Sequence, residues 1–232
     1  MKVAHHLGPY GRLYEVDPRL RPTGRSGLLA VPLEGFARYF AEGRGQLWER
    51  QALCKSRVIV GSPQAAGLAV QAVSRAVFAP GWQPPMADEI RAMRKRLEKT
   101  ASPHNLKRGK GGTVDTEFVV QMHQLKHGHA DPAVRVPGTL DALLALEHGG
   151  YLSKDDSEYF QRSYRFQRSV EARIRLMNLT GRHEFPTEEN ELAKLAYLLG
   201  YANPARLVEE ADAFVQENRR RFNRLFDAAA AT

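Results

Sequence analysis

The sequence predicts a mainly α fold, a bundle of about nine helices. Apolar residues recur at helical spacing across residues 33–226, while residues 13–17 are the one strand candidate. No repeat of fixed period and no low-complexity tract beyond the alanine tail points to a solenoid or a disordered chain.

Taken in order, Leu13-Tyr14-Glu15-Val16-Asp17 reads as a short strand, with Leu13, Glu15 and Asp17 on one face and Tyr14 and Val16 on the other. Pro18 and Pro22 stop any helix, and Gly24 and Gly27 make residues 21–27 a tight loop. Leu33, Phe36, Ala37 and Phe40 form the apolar set of a first helix. Residues 47–60 read as a second, with Trp48, Ala52 and Ile59 among its apolar positions, and residues 63–78 as a third. After the breakers Pro80, Pro84 and Pro85, Ile90, Met93 and Leu97 line one face of a fourth and leave the basic residues to the others.

Residues 101–112 read as a glycine-rich basic loop. Val114, Phe118, Met122 and Leu125 then mark one helix face, residues 128–138 a loop, and residues 139–147 a short helix ended by Gly149-Gly150. Ser153 can cap a long helix to about residue 179, with Tyr159, Phe166, Val170 and Met177 inside. Thr187 can cap the next, burying Leu192, Leu195 and Leu199. Pro204 opens the last, whose stripe is Leu207, Ala211, Phe214, Phe222 and Leu225. The short β-containing start and a weak boundary near Gly149-Gly150 suggest three parts: residues 1–30, residues 31–150 and residues 151–232, the last packed with the part before it.

Composition narrows the function classes. Hydrophobic residues make up 43% of 232, enough for a real core, and no apolar run approaches a bilayer span. The first ten residues lack the apolar region of a secretory signal, and one cysteine, Cys54, excludes a disulfide framework, so a cytoplasmic setting is expected. The formal charge is +8, and eight basic residues against Glu98 alone lie between Arg91 and Lys110. A charge so localised fits a binding site for a nucleotide or an acidic surface; it also fits a solvated helix face followed by a polar loop.

The strongest chemical cluster is Tyr14-Glu15-Val16-Asp17-Pro18-Arg19-Leu20-Arg21-Pro22-Thr23-Gly24-Arg25-Ser26-Gly27. A carboxylate at a strand end followed by arginines suits phosphate chemistry: Asp17 for a divalent cation, Arg19 or Arg21 for a polyphosphate. An edge strand whose Glu15 and Asp17 pair with those arginines explains the same residues. Gly109, Gly111 and Gly112 before a helix can cradle an anion, although a plain helix connector has the same composition. His123 and His127 have a metal-ligand spacing but lack a third partner and an H-E-x-x-H signature. Arg162, Arg165 and Arg168 form a basic stripe, read as solvated. Asp115 and Glu117 point in different directions on one helix, so at least one is expected in a salt bridge or at the helix dipole.

That first cluster resembles the "LYEVD-x-RLRP-x-G-x-x-G" stretch of bacterial glutamine synthetase adenylyltransferases. The resemblance continues through Trp48-Glu49-Arg50-Gln51-Ala52-Leu53 with residues 57–61, and through Lys107-Arg108-Gly109-Lys110-Gly111-Gly112-Thr113-Val114-Asp115-Thr116-Glu117-Phe118. Beyond Gly150 it rests on helical texture and on Leu195-Ala196-Tyr197-Leu198-Leu199-Gly200-Tyr201. The wording of the first motif is similar to the C-terminal, adenylylating half of that family.

The resemblance implies a β remnant of a nucleotidyltransferase domain followed by helices, and transfer of AMP from ATP to a tyrosine of glutamine synthetase. It implies magnesium and ATP as cofactors, and glutamine synthetase and a PII-type regulatory protein as partners. Asp17 would be the catalytic and metal-binding carboxylate with Glu15 beside it; Arg19, Arg21, Lys107 and Lys110 would bind the nucleotide. The family's G-S-x-x-D-x-D pattern, which supplies two further carboxylates, is not found in these residues. Glu15 cannot replace it, because positions two apart on a strand are about 7 Å apart. The expectation is therefore a fragment or a degenerate relative, inactive alone. Asn105 and Ser62 stand where the family usually has aspartate, which puts any ion pair to Lys107 or Arg57 in doubt. The rival reading is a non-catalytic basic helical module for an acidic partner or nucleic acid, although no zinc-finger, RNP or leucine-zipper pattern supports the latter.

Overall fold

The computed structural model describes Asp17, residues 21–178 and residues 183–232. Among them are nine α-helices and no strand: α1 Leu33–Ala41, α2 Leu47–Leu53, α3 Pro63–Phe78, α4 Pro85–Lys99, α5 Thr113–His127, α6 Thr139–His148, α7 Lys154–Asn178, α8 Glu189–Leu199 and α9 Pro204–Ala230. The fold is mainly α, as its periodicity predicts. The strand expected at residues 13–17 lies outside the described residues except for Asp17.

Helix α5 is the axis. It packs against α2, α4, α6, α7 and α9, and twelve of its fifteen residues are buried. Surrounded in this way, it carries Gln121 and Gln124 inside with partners from its neighbours: Gln121 Oε1 accepts from Gln51 Nε2 at 2.7 Å, and Gln124 Nε2 donates to the carbonyls of Val134 and Val136 at 2.8 and 2.7 Å. The four residues expected on its buried face, Val114, Phe118, Met122 and Leu125, are all in the core.

There are two apolar cores. The larger collects residues from α2 to α7 and from α9, among them Ile90, Phe118, Met122, Leu146, Phe160 and Phe226, drawn from both sides of Gly150. The smaller is built on Leu106, Val170, Ile174, Leu195, Ala196 and Leu207. Helices α7 and α9 run through both. At 27 residues and 1.5 Å rise, α9 is about 40 Å long, enough to place Leu207 in one core and Phe222 in the other. Ser153 caps α7 as expected, its Oγ accepting from the Asp156 amide, and the structure adds Asn203, whose Oδ1 accepts from the Ala205 amide at the start of α9.

Three local expectations are corrected. The second helix stops at Leu53 rather than residue 60. Amides of Cys54, Lys55 and Ser56 bond back three residues, and Ser56 Oγ takes the carbonyl of Leu53, closing the helix in a tight turn. The β-branched run Val58-Ile59-Val60 follows outside any helix, so Ile59 is no part of a helix face; it is 83% exposed. The cap of α8 is Glu188, one residue after Thr187. Arg94 was expected on an outer face of α4 and is instead fully buried.

Candidate functional site

The first motif is described at Asp17, which is exposed, and from Arg21 onward. Glu15 and Arg19 lie outside the described residues. Thr23 (φ 61°) and Gly24 (φ 57°) turn the chain through the left-handed region, and Arg21 Nε donates to the Gly27 carbonyl at 3.0 Å to close the loop. The Thr23 amide donates to Glu49 Oε1 at 3.1 Å, which fastens this loop to α2.

Every polar residue of Glu49-Arg50-Gln51 in the second motif has a structural partner. Glu49 also accepts from Tyr39 Oη (2.9 Å) and the Gln46 amide (2.7 Å). Burial and Glu49 together push the Tyr39 phenol up. Arg50 reaches the open carbonyls at the end of α3, donating to Val77 at 3.0 and 2.8 Å and to Gly81 at 3.1 Å. Gln51 Nε2 donates to Gln121 Oε1 of α5 at 2.7 Å. Lys55, just beyond, pairs with Glu117 of α5 at 2.9 Å.

The third motif bridges the two cores: Leu106, just before it, lies in the smaller and Val114, within it, in the larger. Its centre is Asp115, wholly buried, whose Oδ1 takes Arg94 Nε at 2.5 Å and whose Oδ2 takes Arg219 Nε at 2.8 Å and the Gly111 amide at 2.9 Å. Burial pushes the Asp115 carboxyl up, and Arg94 and Arg219 pull it back. Two guanidiniums, which only donate, require an acceptor-only group at that point. Glu98 completes the network at 2.5 Å from Arg219. The Gly111 carbonyl, on the other side of the turn, accepts from Gln167 and Asn218, both at 2.8 Å. Gly111 sits at φ 69°, and a Cβ there would lie 1.9 Å from the Val215 carbonyl oxygen, so α9 tolerates only glycine against it.

These bonds replace the anion cradle expected at Gly109, Gly111 and Gly112. Amides of Lys107 and Arg108 donate to Asn105 Oδ1, that of Gly109 to the Asn105 carbonyl, and that of Gly111 to Asp115. Amides of Gly112, Thr113, Val114 and Asp115 donate to carbonyls of the same loop. Asn105 serves as well as an aspartate would in that turn, and its Nδ2 also donates to Glu184 at 3.3 Å. Ser62 likewise caps α3 through the Ala65 amide. Lys107 and Arg57 have no ion pair among the described residues.

What remains available to a ligand is the side-chain charge. Lys95, Arg96, Lys99, Arg108 and Lys110 are exposed and Lys107 is half-buried, and none forms an ion pair among the described residues. The rest of the run is structural: Arg91 pairs with Asp227 and Arg94 with Asp115. Arg162, Arg165 and Arg168 are exposed, Arg168 paired with Glu171.

His123 and His127 stack at 5.8 Å, and His127 stacks on Tyr151 at 4.1 Å. His123 is buried, with no hydrogen-bond partner for either nitrogen among the described residues. Burial, with His127 and Lys126 adding to it, pulls its imidazole down to about 3. No group of three or more His, Cys, Asp or Glu side chains able to hold a metal occurs among the described residues. Cys54 is buried, its thiol pushed up to about 12 by burial, and Tyr159 and Phe166 belong to the cores.

Sequence reasoning missed Arg94 and Arg219 as structural residues. A signal existed: Arg94 follows Ile90 by four and precedes Leu97 by three, and Arg219 holds the same places between Val215 and Phe222. An arginine inside an apolar stripe predicts a buried partner.

Residues 85–229 match the family described as GlnD PII-uridylyltransferase, and residues 2–71 match glutamate-ammonia ligase adenylyltransferase. A bifunctional glutamine synthetase adenylyltransferase/adenylyl-removing enzyme of Streptomyces coelicolor is 36% identical over 204 residues, covering 86% of this chain and 20% of that protein. Enzymes of the same name from Mycobacterium tuberculosis and Cutibacterium acnes are 38% identical over 184 residues and 36% over 194, covering 78% and 82% of this chain, and 18% and 20% of theirs. The chain spans about a fifth of the length of these curated relatives.

Proposed function

The chain belongs to the GlnD PII-uridylyltransferase family and holds a partial region of the glutamine synthetase adenylyltransferase type, and on that premise we propose that it is part of an enzyme that transfers AMP from ATP to a tyrosine of glutamine synthetase. The observation that carries this reading is the run of three motifs in order, in a chain most of whose length matches relatives that are adenylyltransferases by name. Those names favour adenylyl over uridylyl transfer. A PII-type protein as regulatory partner and a cytoplasmic setting belong to the same proposal; no described helix is long and apolar enough to cross a membrane.

In this reading Asp17 is one metal-binding carboxylate, with Glu15 beside it, and Arg19, Arg21, Lys107 and Lys110 face the nucleotide phosphates. Support for a shared cleft comes from α2 and the turn that follows it: Glu49 of α2 holds Thr23 of the first motif, and Lys55 of the turn pairs with Glu117 of the third. The described residues do not by themselves compose a magnesium site, and one aspartate does not position two ions. The other carboxylates come from another segment of the enzyme.

The test is a chimera in which this chain replaces the matched fifth of the Streptomyces coelicolor relative. Label from α-labelled ATP is expected on glutamine synthetase, falling about a hundredfold or more with Asp17→Ala. Transfer untouched by that substitution, or transfer from UTP to a PII protein instead, overturns the reading.

A further inference from the structure

The basic segment leaves much of its charge unspent, and the structure gathers it. Lys95 and Lys99, one turn apart on α4, line an open cavity of about 350 Å³ together with Glu98 and Ala101. Glu98, the acid among them, is held by Arg219 at 2.5 Å and faces Arg94 at 3.5 Å, so the two lysines keep their charge. Arg94 also ties this part of α4 to the third motif: its Nη2 donates to the Gly109 carbonyl at 2.6 Å. Arg108 and Lys110 flank that glycine, and Lys95 follows Arg94 directly. One buried arginine thus sets the end of α4 beside the loop, and the exposed cations of the two segments share one rim.

We propose that this rim, centred on Lys95, Lys99 and Arg108, is the docking surface for an acidic face of the protein whose tyrosine receives AMP. The inference rests on the functional reading above. Charge alone leaves the partner open; the surroundings choose it. Amides of residues 107–109 and 111–115 are spent within the loop, so the rim offers side-chain charge rather than the amide cup that holds a phosphate. Residues 91–110 contain no Phe, Tyr or Trp on which a base could stack. Cations spread on long side chains over two segments match a set of carboxylates and draw an acidic surface in from a distance. Lys107 and Lys110 of the same loop face the nucleotide in that reading, so a protein presenting its tyrosine there rests against the cations just outside them.

Binding of the 232-residue chain to glutamine synthetase tests this. Association is expected to slow about tenfold or more between about 50 mM and about 500 mM salt, and by a similar factor with Lys95→Glu plus Lys99→Glu. Both lysines are exposed, so the melting temperature should stay unchanged. Arg162→Glu plus Arg165→Glu, an equal change of charge on exposed arginines of α7, is expected to leave association within about twofold. Equal slowing by the two pairs of substitutions, or no binding by the chain, overturns the proposal. So does capture of duplex DNA that the Lys95 and Lys99 reversal abolishes, because it assigns the rim to nucleic acid. AMP transfer by the chimera separates the two ideas. Charge-dependent binding without transfer sinks the functional reading and keeps the docking surface. Transfer whose KM for glutamine synthetase ignores the reversal sinks the docking surface and keeps the functional reading.

Discussion

Arg94 Nε lies 2.5 Å from Asp115 Oδ1, and neither side chain reaches solvent. The pair fixes α4 against the turn that opens α5, and Arg219 brings α9 into the same contact. Removing the carboxylate leaves two guanidiniums facing each other inside the protein. Asp115→Asn is expected to cost about 3–5 kcal/mol, the cost typical of orphaning a buried charge. Adding Arg94→Met should recover part of that loss. Urea unfolding of both variants checks it; equal midpoints for wild type and Asp115→Asn would show that the network is not structural.

Gly111→Ala should be nearly as damaging. The added Cβ would meet backbone, which cannot rotate away, and the residue would be held at φ 69°. A loss of about 3 kcal/mol or more is expected from overpacking and strain together. Gly24→Ala is the control: its φ is also positive, but no atom lies near the added carbon, so about 1 kcal/mol is expected.

Acid sensitivity should carry the mark of His123. Its folded pKa, about 3, is below the ordinary 6.5. The unfolded chain therefore binds the proton first as pH falls. The stability contribution is complete above pH 6.5 and is lost progressively down to about 3, at up to about 1.4 kcal/mol per pH unit. His123→Leu should flatten the profile between pH 6 and 4 and cost little at pH 7, since it also removes two nitrogens without partners. A variant profile parallel to wild type over that range would contradict this origin.

Glu49→Ala should loosen residues 21–27 without unfolding the bundle. It deprives Thr23, Tyr39 and Gln46 of their common acceptor, an expected cost of about 1–3 kcal/mol. Amide exchange should rise in that loop and at the start of α2, and stay unchanged in α5. Uniform exchange throughout would mean that the loop is held by something else.

Much of the bundle was legible because helical periodicity and caps are local: the Ser153 cap, the start of α9 at Pro204 and the α5 stripe are where pattern puts them. The end of α2 was not, because the run Val58-Ile59-Val60 looks apolar enough to continue a helix and only the backbone shows that it does not. The basic segment misled for a different reason. A charge count cannot separate Arg94, spent on Asp115, from Lys107, Arg108 and Lys110, which have no ion pair among the described residues. The glycine turn looked like an anion cradle because sequence displays its amides and hides the carbonyls and the carboxylate that occupy them. Fold therefore followed from local rules, whereas the roles of the motif residues depended on α9, a hundred residues away.

On the function proposed above, these residues hold the helical part of an AMP-transferring enzyme without a complete site. The most direct measurement is incubation of the 232-residue chain with glutamine synthetase, magnesium and α-labelled ATP, beside the chimera under the same conditions. Label on glutamine synthetase is expected with the chimera and none with the chain alone. Magnesium-dependent labelling by the chain alone, abolished by Asp17→Ala, would contradict it.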